Sequence, residues 1–255
     1  MRERLSQLVR TIPRWVRDLK SIGLAIGFVL IVRTVAAEPF VVPSPSMVPT
    51  LLVGDELIAN KHAYGYGKFS SPIGLMPNFA GRVLGAPPER GDVVVFRLPR
   101  DPATTYVKRL IGLPGDRVQM RRGGLYINGQ IVSRRPIGVY STEWDGRTWF
   151  FTRYVETLPN GREHEILKLS DDQPLDNTRE FVVPPRSFFM MGDNRDMSLD
   201  SRVPSDAGGV GFVPEENLIG RTARVLFSRD PAVSWWDIPR WPHAFRRSRF
   251  FAAVE

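Results

Sequence analysis

Leu125-Tyr-Ile-Asn128-Gly129-Gln-Ile-Val132 decides the fold class of this chain. Two short apolar runs flank an Asn-Gly pair, and both of those residues tolerate the left-handed dihedrals that a two-residue hairpin turn needs. The stretch therefore predicts two antiparallel strands. Outward from it, further runs rich in β-branched and aromatic residues read as strands: Glu56–Ala59, Asp92–Phe96, Thr105–Ile111, Glu180–Val183, Phe188–Met191 and Thr222–Phe227. With 22 Gly and 22 Pro among 255 residues, long helices throughout are disfavoured and a turn-rich, mainly β body is expected.

Composition removes several chemistries. There is no cysteine, which excludes disulfides, zinc–thiolate sites, iron–sulfur clusters and a cysteine nucleophile. His62, His164 and His243 are the only histidines, too few for a histidine-rich metal centre. Gly161-Arg-Glu-His164-Glu165 lacks the second histidine of a zincin helix, and Gly67-Lys68 lacks the upstream glycine of a phosphate loop. No metal and no cofactor are expected.

The formal net charge of +8 sits mostly at the ends. Residues 1–20 carry six basic and two acidic side chains, residues 237–255 four and two, and the body between is close to neutral. No basic face for nucleic acid is legible there. The apolar run Ile22–Val32 follows the basic N-terminus, and residues 19–37 reach the length of about 20 that a membrane-spanning helix needs, with Arg33 snorkelling. The flank predicts a cytoplasmic N-terminus and an exported body. A signal-anchor over 21–37 is the preferred reading; a cleavable signal peptide ending at Val35-Ala36-Ala37 is the alternative. Trp235, Trp236 and Trp241 fit either an interfacial belt or packing on the body. The expected organisation is a cytoplasmic segment 1–20, an anchor 21–37, a β core over 38–123 and 181–230, an inserted polar lobe over 124–180 and a tail over 231–255.

Three segments carry candidate chemistry. In Pro43-Ser44-Pro45-Ser46-Met47-Val-Pro49 the prolines favour extended backbone, which would point both serine hydroxyls to one side. One could attack while the other donates to an oxyanion. On Thr104–Ile111, Lys108 shares a face with Tyr106 and Leu110; burial there would lower its pKa and free a neutral amine as a base. Arg109 points the other way. In Gly192-Asp193-Asn194-Arg195-Asp196-Met-Ser198-Leu-Asp200-Ser201-Arg202, alternating Asp and Arg suit a salt-bridged loop, with Ser198 placed to orient the lysine. A calcium loop would need different spacing and a closing glutamate. Taken singly, a Pro/Ser linker and a surface edge-strand lysine are the better readings of the first two segments.

Together, and in this order, these segments resemble the bacterial type I signal peptidases, membrane-anchored proteases with a Ser–Lys dyad. Pro43–Leu51, Arg90–Phe96, Tyr106–Asp116 and Gly192–Arg202 match four ordered boxes of that family. The resemblance implies Ser46 as nucleophile, Lys108 as general base, Ser44 with the Ser46 N–H as oxyanion hole, and Ser198 as the group orienting the lysine. Asp193, Arg195, Asp200 and Arg202 would support the loop. Phe40, Val42, Met47, Leu57, Val95, Tyr106 and Val107 would line the substrate pocket. It also implies coiled antiparallel sheets with an inserted lobe, a monomer in the bacterial inner membrane, and exported preproteins as substrates; membrane lipid is a further partner and the secretion machinery an indirect one. Pro45 departs from the glycine often found between the two serines, and the single membrane segment departs from relatives that have two. A peptidase dedicated to one pilus or conjugation protein, and a tethered peptide-binding β module without activity, are the alternatives.

Overall fold

The computed structural model describes residues 14–35, 37–70, 81–144, 146–233 and 236–254. Three antiparallel sheets make up the body. The largest is built from β1 (Ala37–Val41), β2 (Asp55–Asn60), β3 (Val93–Leu98), β4 (Asp101–Gly112), β12 (Ser187–Met191), β13 (Val213–Pro214) and β14 (Leu218–Ser228), in the order β1-β2-β14-β3-β4-β12-β13. A second sheet, ordered β11-β5-β6-β7, joins β5 (Arg117–Arg121), β6 (Gly124–Ile127), β7 (Gln130–Ile131) and β11 (Phe181–Val182). The third runs β10-β9-β8, from β8 (Ser133–Trp144), β9 (Arg147–Thr157) and β10 (Glu163–Lys168).

The turn between β6 and β7 forms as expected: Asn128 and Gly129 have φ of 53° and 79°, and Ile127 pairs with Gln130. All seven expected strand runs are present. Strand β4 matters most. It lies between β3 (Val94 opposite Lys108, Val93 opposite Arg109) and β12 (Met190 opposite Leu110, Met191 opposite Arg109), so its inner half is enclosed on both edges. The clusters on its two faces are apolar: Val42, Met47, Leu51, Leu57, Val95 and Val107 belong to one, Val94, Phe96, Leu110, Phe188 and Met190 to another. Fully burying a side chain such as Leu57 contributes about 1.5–3 kcal/mol.

Residues 133–178, expected as a polar lobe, hold the long β8–β9 hairpin extended by β10, with pairing from Ser133 opposite Thr157 to Trp144 opposite Arg147. The hairpin at 124–131 belongs instead with β5, and its core is continuous with Ile111, Phe189 and Met191 of the large sheet. The break between sheets therefore falls nearer Ser133 than Gly124.

Helix α1 (Arg14–Val35) takes in residues 21–35 of the expected anchor and begins earlier, whereas Ala37 already belongs to β1. Among the described residues, no helix is long and apolar enough to cross a membrane. Leu19, Ile22, Leu24, Ile26, Phe28 and Val29 on α1 are each more than half exposed. The first 13 residues of the basic flank, and Ala36 of the possible cleavage site, lie outside the described residues. Near the other end, Trp241 opens α2 (Trp241–Ala244) and packs edge-on against Phe245, whereas Trp236 is fully open to solvent. Trp235 lies outside the described residues.

Candidate active site

The serine segment does not run extended. Pro45–Met47 forms a 3-10 turn with Pro45 at its first position, where its fixed φ is already suitable and its missing N–H costs nothing. Ser44 precedes the turn in extended backbone and makes no capping bond. Its hydroxyl meets the Ser46 hydroxyl instead, at 3.2 Å. The two oxygens converge as expected, through a turn rather than through strand alternation.

The loop Gly192–Arg202 holds that turn from one side. Asn194 N donates to Ser46 O at 3.1 Å, and Asn194 Nδ2 to Pro45 O at 3.3 Å. The approach requires Gly192, since a Cβ there would lie 2.3 Å from Ser198 Oγ and 2.5 Å from Ser46 O. Sequence reasoning gave Gly192 no role; its place opening the acidic loop was the available signal.

Lys108 approaches from β4. Its Nζ lies 2.5 Å from Ser46 Oγ and 3.2 Å from Val107 O, and only 3% of the residue is exposed. Tyr106, two residues back on the same face, has its ring 5.4 Å from the amine. Burial lowers the Lys108 pKa to about 8; the carboxylates of Asp200 and Asp193 oppose that shift without cancelling it. A neutral amine can accept the hydroxyl proton across the same short contact.

Arg109 does point the other way, and it too is buried. Its guanidinium grips Asp193 with two bonds of 2.8 Å and donates to Gly91 O at 2.8 Å. Burial pushes the Asp193 carboxyl up, but the Arg109 guanidinium outweighs it and holds the pKa below the usual range. Asp200 is held low in the same way by Arg202, at 2.9 Å. The acidic loop is only partly bridged within itself: Asp200 pairs with Arg202, whereas Arg195 reaches out to Glu156 on β9, at 2.9 Å through one of two bonds. His164 stands 3.4 Å from the same carboxylate. Lys168 holds Asp196 from β10, at 2.9 Å. Glu156 and Lys168 were not read from the sequence, and His164 only as a histidine outside any zincin motif; an acid or base inside a strand was their mark.

Ser198 is buried beside Gly192, but no hydrogen bond joins its hydroxyl to Lys108 Nζ; the hydroxyl faces the Asp200 carboxylate and helps to hold its pKa low. A cleft of about 300 Å³ opens over the two serines and Lys108. Phe40, Tyr106 and Val107 reach it, together with Thr104, Met197 and Leu199. Val42, Met47, Leu57 and Val95 pack in the core behind it, at most 1% exposed: β2 and β3 turn Leu57 and Val95 inward, and Val42 after β1 and Met47 in the 3-10 turn join the same cluster.

Comparison with known proteins follows the same residues. The family described as signal peptidase, peptidase S26, matches residues 14–227. A signal peptidase I of Rickettsia canadensis is 41% identical over 228 residues, covering 87% of this chain and 82% of its own. One of Rickettsia typhi is 39% identical over 253 residues, 92% of each chain. A solved signal peptidase I from Enterococcus faecalis V583, 26% identical, covers 53% of this chain and 97% of its own with a TM-score of 0.31, too loose a superposition to bear on the fold.

Proposed function

The chain belongs to the signal peptidase family, peptidase S26, and on that premise we propose that it removes signal peptides from exported preproteins with Ser46 as nucleophile and Lys108 as general base. The observation that carries this reading is the contact of 2.5 Å between Ser46 Oγ and Lys108 Nζ, both buried. Neutral Lys108 takes the Ser46 proton as Oγ attacks the scissile carbonyl, and the protonated amine then passes the proton to the departing amine. Water hydrolyses the acyl-enzyme with Lys108 again as base. Ser44, whose Oγ lies 3.2 Å from Ser46 Oγ, donates to the oxyanion together with the Ser46 N–H.

The substrate lies extended in the cleft, and walls such as Phe40, Tyr106 and Leu199 leave room for alanine-sized side chains at the cleavage site. Helix α1, with six apolar side chains turned to solvent and basic residues ahead of it, acts as a single-pass anchor in the bacterial inner membrane, its N-terminus cytoplasmic. The β core over 38–132 and 181–230 works on the outer side as a monomer, with 133–178 as an inserted lobe and 231–255 as a tail. Asp193, Arg195, Asp200 and Arg202 hold the loop behind the dyad. Ser198, buried beside Gly192 in the same loop, is the group that orients the amine, although its hydroxyl makes no bond to Nζ here.

The pH profile tests the base. The reactive form is the free amine, so kcat/KM must rise with pH through the free-protein pKa of about 8. At pH 7 roughly one-tenth of the molecules carry a neutral Lys108. A kcat/KM independent of pH between about 6 and about 9 contradicts Lys108 as the base. Replacing Ser44 by Ala is expected to lower kcat by about 2.7–4 kcal/mol of transition-state stabilisation at little change in KM, and an unchanged kcat removes Ser44 from the oxyanion hole.

A further inference from the structure

The chain returns to the site from its far end. Beyond α2 it runs back beside β14: Arg246 N donates to Ser228 O, Val225 N to Ala252 O and Val254 N to Ala223 O, at 2.9–3.0 Å. Val254 packs against the apolar cluster that contains Met47 and Leu51. A 3-10 turn at Arg247–Arg249 directs Arg249 into the loop between the Ser46 turn and β2. There its guanidinium clasps the buried Asp55 carboxylate, Nε at 3.1 Å and Nη2 at 2.5 Å, and Nη2 also donates to Thr50 O at 2.9 Å. Asp55 Oδ2 accepts from Leu52 N at 2.8 Å, and Arg246 Nη1 donates to Val53 O at 2.8 Å. Three backbone sites after the nucleophile turn, at Thr50, Leu52 and Val53, are thus fixed from one short segment or through its carboxylate partner.

Thr50 carries the connection inward. Its carbonyl takes Arg249, and its hydroxyl donates to Asp193 Oδ2 at 2.6 Å, the carboxylate that Arg109 grips beside Lys108. Leu51 N donates to Met47 O at 2.8 Å, closing the loop onto the Ser46 turn. A shift of Thr50 would therefore move the nucleophile turn and the acid behind the base together.

We propose that Arg249 is a positioning residue for the Ser46 nucleophile, clamping the loop 48–55 from outside the cleft. The inference rests on the reading of Ser46 given above. A guanidinium suits the role because its planar fork reaches a carboxylate and a carbonyl at once, which an ammonium does not. A simple stabilising pair predicts a lower melting temperature and an unaltered turnover of the folded molecules. A clamp predicts altered turnover, since small misplacements of a reacting group are expensive in rate.

The experiment compares the full chain in detergent micelles with Arg249→Ala, Arg249→Lys and Arg247→Ala, whose side chain is exposed. Below the melting temperature of each variant, Arg249→Ala is expected to lower kcat by roughly 10- to 100-fold with KM unchanged. Arg249→Lys, which keeps the charge beside Asp55 and loses the fork, falls between it and the parent, and Arg247→Ala matches the parent. Amide hydrogen exchange over residues 47–54 is expected to quicken in Arg249→Ala. Parental kcat in folded Arg249→Ala, or in Arg249→Lys should the alanine variant not fold, overturns the proposal. So does unchanged exchange over that loop, whether or not the chain cleaves a preprotein. A parent chain without Ser46-dependent cleavage defeats the catalytic reading instead, and the exchange comparison still judges the clamp.

Discussion

Ser46→Ala is expected to give a folded protein that leaves preproteins uncut. The Ser46 side chain supplies the attacking oxygen, and no other hydroxyl takes its place, since Ser44 Oγ bonds Ser46 Oγ at 3.2 Å and does not share the short lysine contact. Removing the nucleophile of a serine protease costs on the order of 10⁶-fold in kcat. Lys108→Ala is expected to fall as far, because base and nucleophile act as one unit and their losses do not add. The double variant should then be no slower than either single one. Folding should survive both changes. Ser46→Ala removes one oxygen from a turn that Pro45 and Asn194 still hold, and Lys108→Ala deletes a buried amine whose desolvation opposed its charged form. Cleavage of a purified preprotein, followed by gel with circular dichroism as the folding control, decides the matter; residual turnover above about one-thousandth of the parent in either variant rules out the dyad.

The second large effect falls on stability. Glu156→Gln keeps the shape of the side chain on β9 and removes its charge, leaving the Arg195 guanidinium, 1% exposed, without its ion-pair partner and with only the more weakly acting Asp193 and Asp200 carboxylates. Breaking a buried pair in this way costs about 3–5 kcal/mol, visible as a lower urea midpoint. The pH dependence gives the sign. Burial pushes the Glu156 carboxyl up, but Arg195 and His164 outweigh it and hold the pKa far below the ordinary carboxylate range. A depressed acid contributes stability above its unfolded pKa of about 4.3, and that contribution fades as pH falls towards the folded value. The gap between parent and Glu156→Gln should therefore be widest near neutrality and shrink below about pH 4. A gap that stays constant into acid would mean that shape, not charge, holds Glu156 in place.

The legible parts of this molecule are those whose signal is local. Asn128-Gly129 announces a tight hairpin by itself, and the run Thr105–Ile111 announces a strand on which Lys108 and Arg109 take opposite sides. The order of the boxes around Ser46, Lys108 and Asp193 then names the site. What stayed hidden depends on partners distant in sequence or on burial that no local pattern records. Pro43-Ser-Pro-Ser46 reads as extended chain because proline restricts its predecessor to extended backbone; that Pro45 would instead open a 3-10 turn follows from Asn194 binding the Pro45 and Ser46 carbonyls from 149 and 148 residues on. Strands β8 to β10 carry too little apolar alternation to stand out, since Val139 and Phe150 face solvent on one side. Glu156 acquires meaning only through Arg195, 39 residues later. The cleft residues were half legible: Phe40, Tyr106 and Val107 reach the cavity, whereas Val42, Met47, Leu57 and Val95 are taken up by the core cluster behind it, a distinction that no local pattern records.

Strand β4 presents an amine and a guanidinium at adjacent positions, and irregularities pin its pairing, at Arg97/Leu98 in β3 and at Phe189/Met190 in β12. A slide by a single place would exchange which cation meets the serine oxygen. Guanidinium stays protonated throughout the physiological range, so the displaced chain would look native by its spectrum and do nothing. Those two kinks thus act as a frame mark that lets chemistry be read in one alignment alone.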